Sequence, residues 1–245
     1  VDFVLPFRFS EGTWSLGTRG PVTLRIGEVE NLVTARNITA DLQGDYPWTE
    51  DNPLLLTNVK VETLGGKITM QQLRMPQHDP ALLRVDNISS SELISAVNPK
   101  QFAMSGPVSG ALPFWLDNEK WIIKDGWLTN PGPMTLRIDK DTADAIVKDN
   151  MVAGAAINWL RYMEISRSWT RINLDNLGEL TMQATIKGTS RVDGKSSSVN
   201  LNYTHDENVF TLWRSLRFGD NLQTWFEQHA AIPGLRSSTG KESEE

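Results

Sequence analysis

Apolar and polar residues alternate with a period of two at intervals along most of this chain, and that pattern narrows its fold more than any other feature. The stretch Gly106 to Ile138 carries it most densely. Met134, Leu136 and Ile138 alternate with Thr135 and Arg137, which gives a strand one oily and one wet face. Before them the spacing predicts short strands at Val108 to Leu116, Trp121 to Ile123 and Trp127-Leu128, and Pro133 opens the last one. Asp125-Gly126 between apolar runs reads as a hairpin turn. A shorter echo lies upstream, where Trp14 and Gly20-Pro21-Val22-Thr23-Leu24-Arg25-Ile26 match Trp127 and Gly132-Pro133-Met134-Thr135-Leu136-Arg137-Ile138. Internal repetition of this kind points to an elongated or modular β structure.

The same period recurs elsewhere. Leu54 to Arg74 reads as a hairpin turning at Gly65-Gly66, with Val59 and Val61 on one arm and Ile68 and Met70 on the other. Leu180, Met182, Ala184 and Ile186 alternate well, and Val199, Leu201 and Tyr203 share one side of the strand that follows. Weaker strands are expected at Leu32 to Ala35 and Ile38 to Leu42, ahead of a polar loop from Gly44 to Pro53. Helical signals are few. Ser89 to Glu92 caps a short helix ending near Val97. Ile146, Ala153, Ile157 and Leu160 predict a long helix over about 141–162, and Val209, Leu212, Trp213 and Leu216 predict another from Glu207 onward. Four segments follow: a β-rich part over 1–104, a second over 105–205 with the inserted helix, amphipathic helices over 206–233, and a disordered acidic tail over 234–245.

Chemistry is scarce. A net charge of -6 and scattered Lys and Arg argue against a nucleic-acid surface. The absence of Cys excludes disulfides and thiolate catalysis. His78, His205 and His229 have no partner at metal-ligand spacing, and Asp139, Asp141 and Asp144 read as a capped helix start rather than a calcium loop. No nucleophile elbow, phosphate loop or dinucleotide fingerprint occurs. The expectation is a protein that is not an enzyme, with no cofactor and no metal. Apolar runs fall short of the roughly 18–20 residues a membrane-spanning helix needs. The chain opens in mid-pattern with Val1-Asp2-Phe3-Val4 and reads as a piece of something longer or a processed product. Nine Trp pack well in β structure, and an aromatic with a polar N–H also suits a lipid boundary.

The phrases Val108-Ser109-Gly110-x-Leu112-Pro113-Phe114, Lys124-Asp125-Gly126-Trp127-Leu128 and Pro131-Gly132 resemble the recurrent module of the AsmA-like bacterial proteins. The tail, Asn200-Leu201-Asn202-Tyr203-Thr204 and then Asn208 to Phe218, resembles the C-terminal region of one branch of that family, related to TamB and YhdP. The resemblance implies a long periplasmic β-sheet in a Gram-negative bacterium, anchored at the inner membrane and carrying phospholipid towards the outer membrane. It also implies a small outer-membrane lipoprotein partner (YnbE-like) near the C-terminal end.

Alternation alone fits an open trough and the closed core of a sandwich or barrel equally; the resemblance favours the trough. The fold class expected is therefore mainly β with a few helices: an elongated, curved antiparallel sheet forming an open hydrophobic groove, with amphipathic C-terminal helices. Phospholipid acyl chains would lie on Val22, Leu24, Ile26, Val59, Val61, Ile68, Met70, Leu112, Phe114, Met134, Leu136, Ile138, Leu180, Met182, Ile186 and Leu201. Val199, Asn200, Leu201, Asn202 and Tyr203 form the expected edge for a partner strand added by β-augmentation. The rivals are a β-rich assembly module of the cell envelope with a dry core, and a hydrolase of envelope polymers with paired carboxylates.

Overall fold

The computed structural model describes residues 7–30, 33–97, 102–139, 162–192, 195–211 and 214. Among the described residues the elements succeed one another as β1 (Phe7–Ser10), β2 (Thr13–Leu16), β3 (Val22–Glu30), β4 (Thr34–Tyr46), β5 (Leu54–Thr63), β6 (Gly66–Met75), β7 (Ala81–Ser89), α1 (Ser90–Val97), β8 (Phe102–Ser105), β9 (Pro107–Phe114), β10 (Trp121–Thr129), β11 (Met134–Ile138), β12 (Tyr162–Asp175), β13 (Glu179–Val192) and β14 (Lys195–Asn208). All fourteen strands belong to one sheet. Every named strand pair is antiparallel, as expected where short turns join neighbours. The sheet is open: among the described residues β14 pairs with β13 alone and β1 with β2 alone.

Several rows of the sheet are single strands with a break. β2 and β3 both run along β4, with Leu16 opposite Gly44 and Val22 opposite Leu42. β10 and β11 likewise run along β12, with Thr129 opposite Trp169 and Met134 opposite Ile165. The two GP-x-TLRI copies therefore occupy equivalent places, each resuming a strand after a break, with Val22 and Met134 buried at the point of resumption. β8 and β9 form a third broken row, split at Gly106, whose φ of 111° favours glycine. A Cβ there would lie 2.6 Å from the Pro133 carbonyl oxygen, so the two breaks pack directly on one another.

The Asn130 side chain closes the β10–β11 break. Its Nδ2 donates to the carbonyls of Gly132 (2.7 Å) and Ser166 (3.3 Å), and its Oδ1 accepts from the backbone N–H (2.5 Å) and the hydroxyl (2.9 Å) of Ser168. At α1 the hydroxyl of Ser89 accepts from the N–H of Glu92 at 3.3 Å, the cap the sequence leads one to expect.

Three readings of the sequence change. Asp125-Gly126 is not a hairpin turn, because Trp121 to Thr129 is one continuous strand and Asp125, at φ 54°, sits in a bulge within it. Asp tolerates the left-handed region, and that tolerance serves bulges as well as turns. The two weak strands up to Leu42 are, from Thr34 on, a single strand that runs to Tyr46 and so takes in the first three residues of the expected loop. Asp206 to Asn208 extend β14, where helix was expected, and helical backbone begins at Val209. The expected helix over 141–162 lies outside the described residues apart from Tyr162, which opens β12. The tail over 234–245 and the terminal helices beyond Arg214 also lie outside them.

Candidate functional site: the apolar face of the sheet

Residues directly opposite in an antiparallel ladder point to the same face, so register alone sorts the two sides. One ladder runs Val22, Leu42, Leu56, Leu73. A second runs Val59, Met70, Leu83, Leu112, and a third Val61, Ile68, Val85, Gly110, Leu128, Thr170, Ala184, Tyr203. A fourth links Ala81, Phe114, Ile123, Leu174, Leu180 and Glu207. Towards the other end of the strands, Met134, Ile165, Gly188 and Val199 align, as do Met104, Leu136 and Met163. Leu24 faces Ala40, Ile26 faces Ile38, Met182 faces Ile172 and Ile186 faces Leu201. Ile138 holds the register position opposite Phe102. The other residues expected to line a trough thus occupy one face of one sheet.

That face is not sealed. Among the described residues full burial is reached at Met163 and Ser190, each 0% exposed. Two packed clusters exist, one around Met70, Leu73, Met75 and Ala81 and one around Met134, Met163, Ile165 and Val199. Between and beyond them Leu24, Ile26, Val61, Ile68, Leu112, Leu180, Met182 and Leu201 remain only half-buried. Six of the seven Met stand on this face: Met70, Met75, Met104, Met134, Met163 and Met182.

The opposite face is wet. One of its ladders reads Lys60, Thr69, Arg84, Ala111, Trp127, Arg171, Gln183, Thr204. Hydrogen bonds from Asn58 first, and from Thr23, hold the Asp41 carboxyl below the usual carboxylate range. Glu62 is lowered in the same way by Lys60 and then Asn37. The Trp127 and Trp169 rings stack here, with centroids 4.9 Å apart. A cleft of about 960 Å³, lined by Arg36, Glu62, Lys67, Asp86 and Glu92 among others, opens beside α1.

Reading by strict alternation missed much of the face, including Leu42, Leu56, Leu73, Leu83, Val85, Ile123, Ile165 and Ile172. For Leu56, Val85 and Ile123 the reason lies in the bulges. Asn37, Asn58, Asn87 and Asp125 all have positive φ, near 50°. Each is flanked at -2 and +1 by residues of the apolar face: Ala35 and Ile38, Leu56 and Val59, Val85 and Ile88, Ile123 and Gly126. A bulge moves the pleat by one residue, so apolar positions three apart stay on one side. The visible signal is the tetrad ARNI, LTNV, VDNI, IKDG.

The expected edge, Val199 to Tyr203, lies in the middle of β14, whose outer side has no strand partner among the described residues. No group of His, Asp and Glu that could hold a metal occurs among the described residues, and no helix there is long and apolar enough to cross a membrane.

The described strands thus form a single amphipathic sheet whose oily side is only partly buried. Residues 1–231 match the family described as YdbH-like, intermembrane phospholipid transport protein YdbH, and the chain belongs to that family. It is 78% identical over 245 residues to a protein of Escherichia coli (strain K12) described as a probable phospholipid transport protein YdbH. The match covers 100% of this chain and 28% of that protein. No solved structure matches the chain.

Proposed function

We propose that this chain is a segment of a bridge-like carrier that takes phospholipids across the periplasm to the outer membrane, with acyl chains lying on the apolar face and headgroups kept wet. The observation that carries the reading is the continuity of that face across all the sheet's rows combined with its incomplete burial. Covering it with a fatty chain removes apolar area from water at about 25 cal/mol per Å². Methionine suits such a ligand because its unbranched, polarisable side chain repacks around variable shapes. No reacting group is needed, in keeping with the absence of catalytic motifs. The name of the Escherichia coli relative supports lipid as cargo. Anchorage of the full-length protein in the inner membrane, with this segment near the outer membrane, belongs to the same proposal.

The test is site-specific photo-crosslinking of the full-length protein. A photoreactive residue at Leu112 or Leu136 is expected to capture phospholipid, and one at Thr69 on the wet face is not. Equal yields at all three positions would sink the reading. Native mass spectrometry showing no bound lipid would favour the dry assembly module instead.

The outer edge of β14 is the proposed docking strand for a small outer-membrane lipoprotein, since an unpaired ladder is a template for a further strand. N–H groups of successive residues point to opposite sides of a strand. Of the substitutions Asn200→Pro and Leu201→Pro, one therefore removes a donor facing the partner while leaving the β13 ladder whole. That variant should fold and lose partner capture in a pull-down; undiminished capture by both would reject the edge.

A further inference from the structure

The apolar face changes character along its last strand. Val199 and Leu201 are followed on the same side by Tyr203, His205 and Glu207, which stand opposite Ala184, Met182 and Leu180. These three polar side chains are joined. The Tyr203 hydroxyl lies 3.1 Å from His205 Nδ1, and His205 Nε2 lies 3.6 Å from a Glu207 carboxylate oxygen. The Tyr203 and His205 rings stack with centroids 6.0 Å apart. The Glu207 side chain is only 9% exposed, whereas that of His205 is 34% exposed. Glu207 thus stands, little exposed, at the end of the apolar ladder that runs through Leu174 and Leu180.

We propose that Tyr203, His205 and Glu207 form a headgroup subsite that selects phospholipids carrying an ammonium group, such as the ethanolamine lipids, over anionic ones. This rests on the lipid-carrier reading above. A lipid with its acyl chains on Leu180, Met182 and Leu201 has its headgroup at the rim, where these residues stand. The negative charge of Glu207 attracts an alkylammonium and repels a headgroup of net negative charge, and both effects grow where apolar neighbours lower the local dielectric. A carboxylate has about four acceptor positions and can take an ammonium N–H beside the partners it already has. The Tyr203 hydroxyl is placed to donate to a phosphate oxygen when it leaves His205.

The test compares two photo-crosslinking positions in the purified full-length protein, loaded from vesicles of equal phosphatidylethanolamine and phosphatidylglycerol. Adducts at Leu201, beside the subsite, are expected to be richer in ethanolamine lipid than adducts at Val59 by roughly tenfold, the ratio one charge-assisted hydrogen bond supports. Glu207→Gln should bring the Leu201 ratio to that of Val59 without lowering the total yield, and Tyr203→Phe should move it part of the way. Equal ratios at the two positions in the unsubstituted protein overturn the subsite, whether or not the variants accumulate. Absence of lipid adducts at both positions overturns the carrier reading itself, which is a separate outcome.

Discussion

Asn58 shows how a single residue serves both faces of the sheet. Its backbone at φ 52° turns the pleat so that Leu56 and Val59 both point to the oily side. Its Nδ2 donates to Asp41 on the wet side at 2.9 Å. A residue with a Cβ and no polar tip is strained in that conformation by about 1–2 kcal/mol. Asn58→Ala should therefore lower stability by about that much, while Asn58→Gly, free of the clash, should cost less; chemical denaturation checks the order. Both variants remove the first cause of the lowered Asp41 pKa, so the carboxyl should titrate at higher pH, nearer its usual range, by NMR. The sign follows. The hydrogen bond's contribution is present above the unfolded carboxyl's pKa and is lost as pH falls through the lower folded value. Gly110 makes a second test. A Cβ there would lie 2.0 Å from the Trp127 carbonyl oxygen, so Gly110→Ala should destabilise by about 1–3 kcal/mol and lower the thermal midpoint.

At the scale of elements, the sequence made the period-two segments legible and hid the irregular ones. The β5–β6 hairpin, the Ser89 cap, β13 and both GP-x-TLRI strands follow directly from alternation and turn chemistry. β4 and β10 looked like pairs of short strands because a bulge within each breaks the alternation that reveals a strand. Asp125-Gly126 carried a hairpin's residues in a bulge's position, and only pairing with β9 and with β12, the latter distant in sequence, separates the two. The broken rows rest on local polar clasps. Asn130→Ala should leave the Ser168 N–H and the Gly132 carbonyl unpaired, costing about 1–3 kcal/mol. Hydrogen exchange at Ser168 should then quicken, with amides in β5 and β6 unchanged.

For the molecule as a whole, the sequence displayed which residues are oily but not whether they meet one another across a core. Alternation is the same in a sandwich and in a trough. The distinction lies in strand order, with fourteen strands in one open sheet and, among the described residues, no second sheet to cover the apolar side. Half-buried Leu112 and Leu180 on that side are what an unfilled surface looks like. In the proposed function, fatty chains fill it. The most direct measurement is the lipid captured by a photoreactive group at Leu136 in the full-length protein, set against the same group at Thr135 on the opposite face. Phospholipid adducts at Leu136 and none at Thr135 are the predicted result, and adducts at neither position, or equally at both, would contradict it.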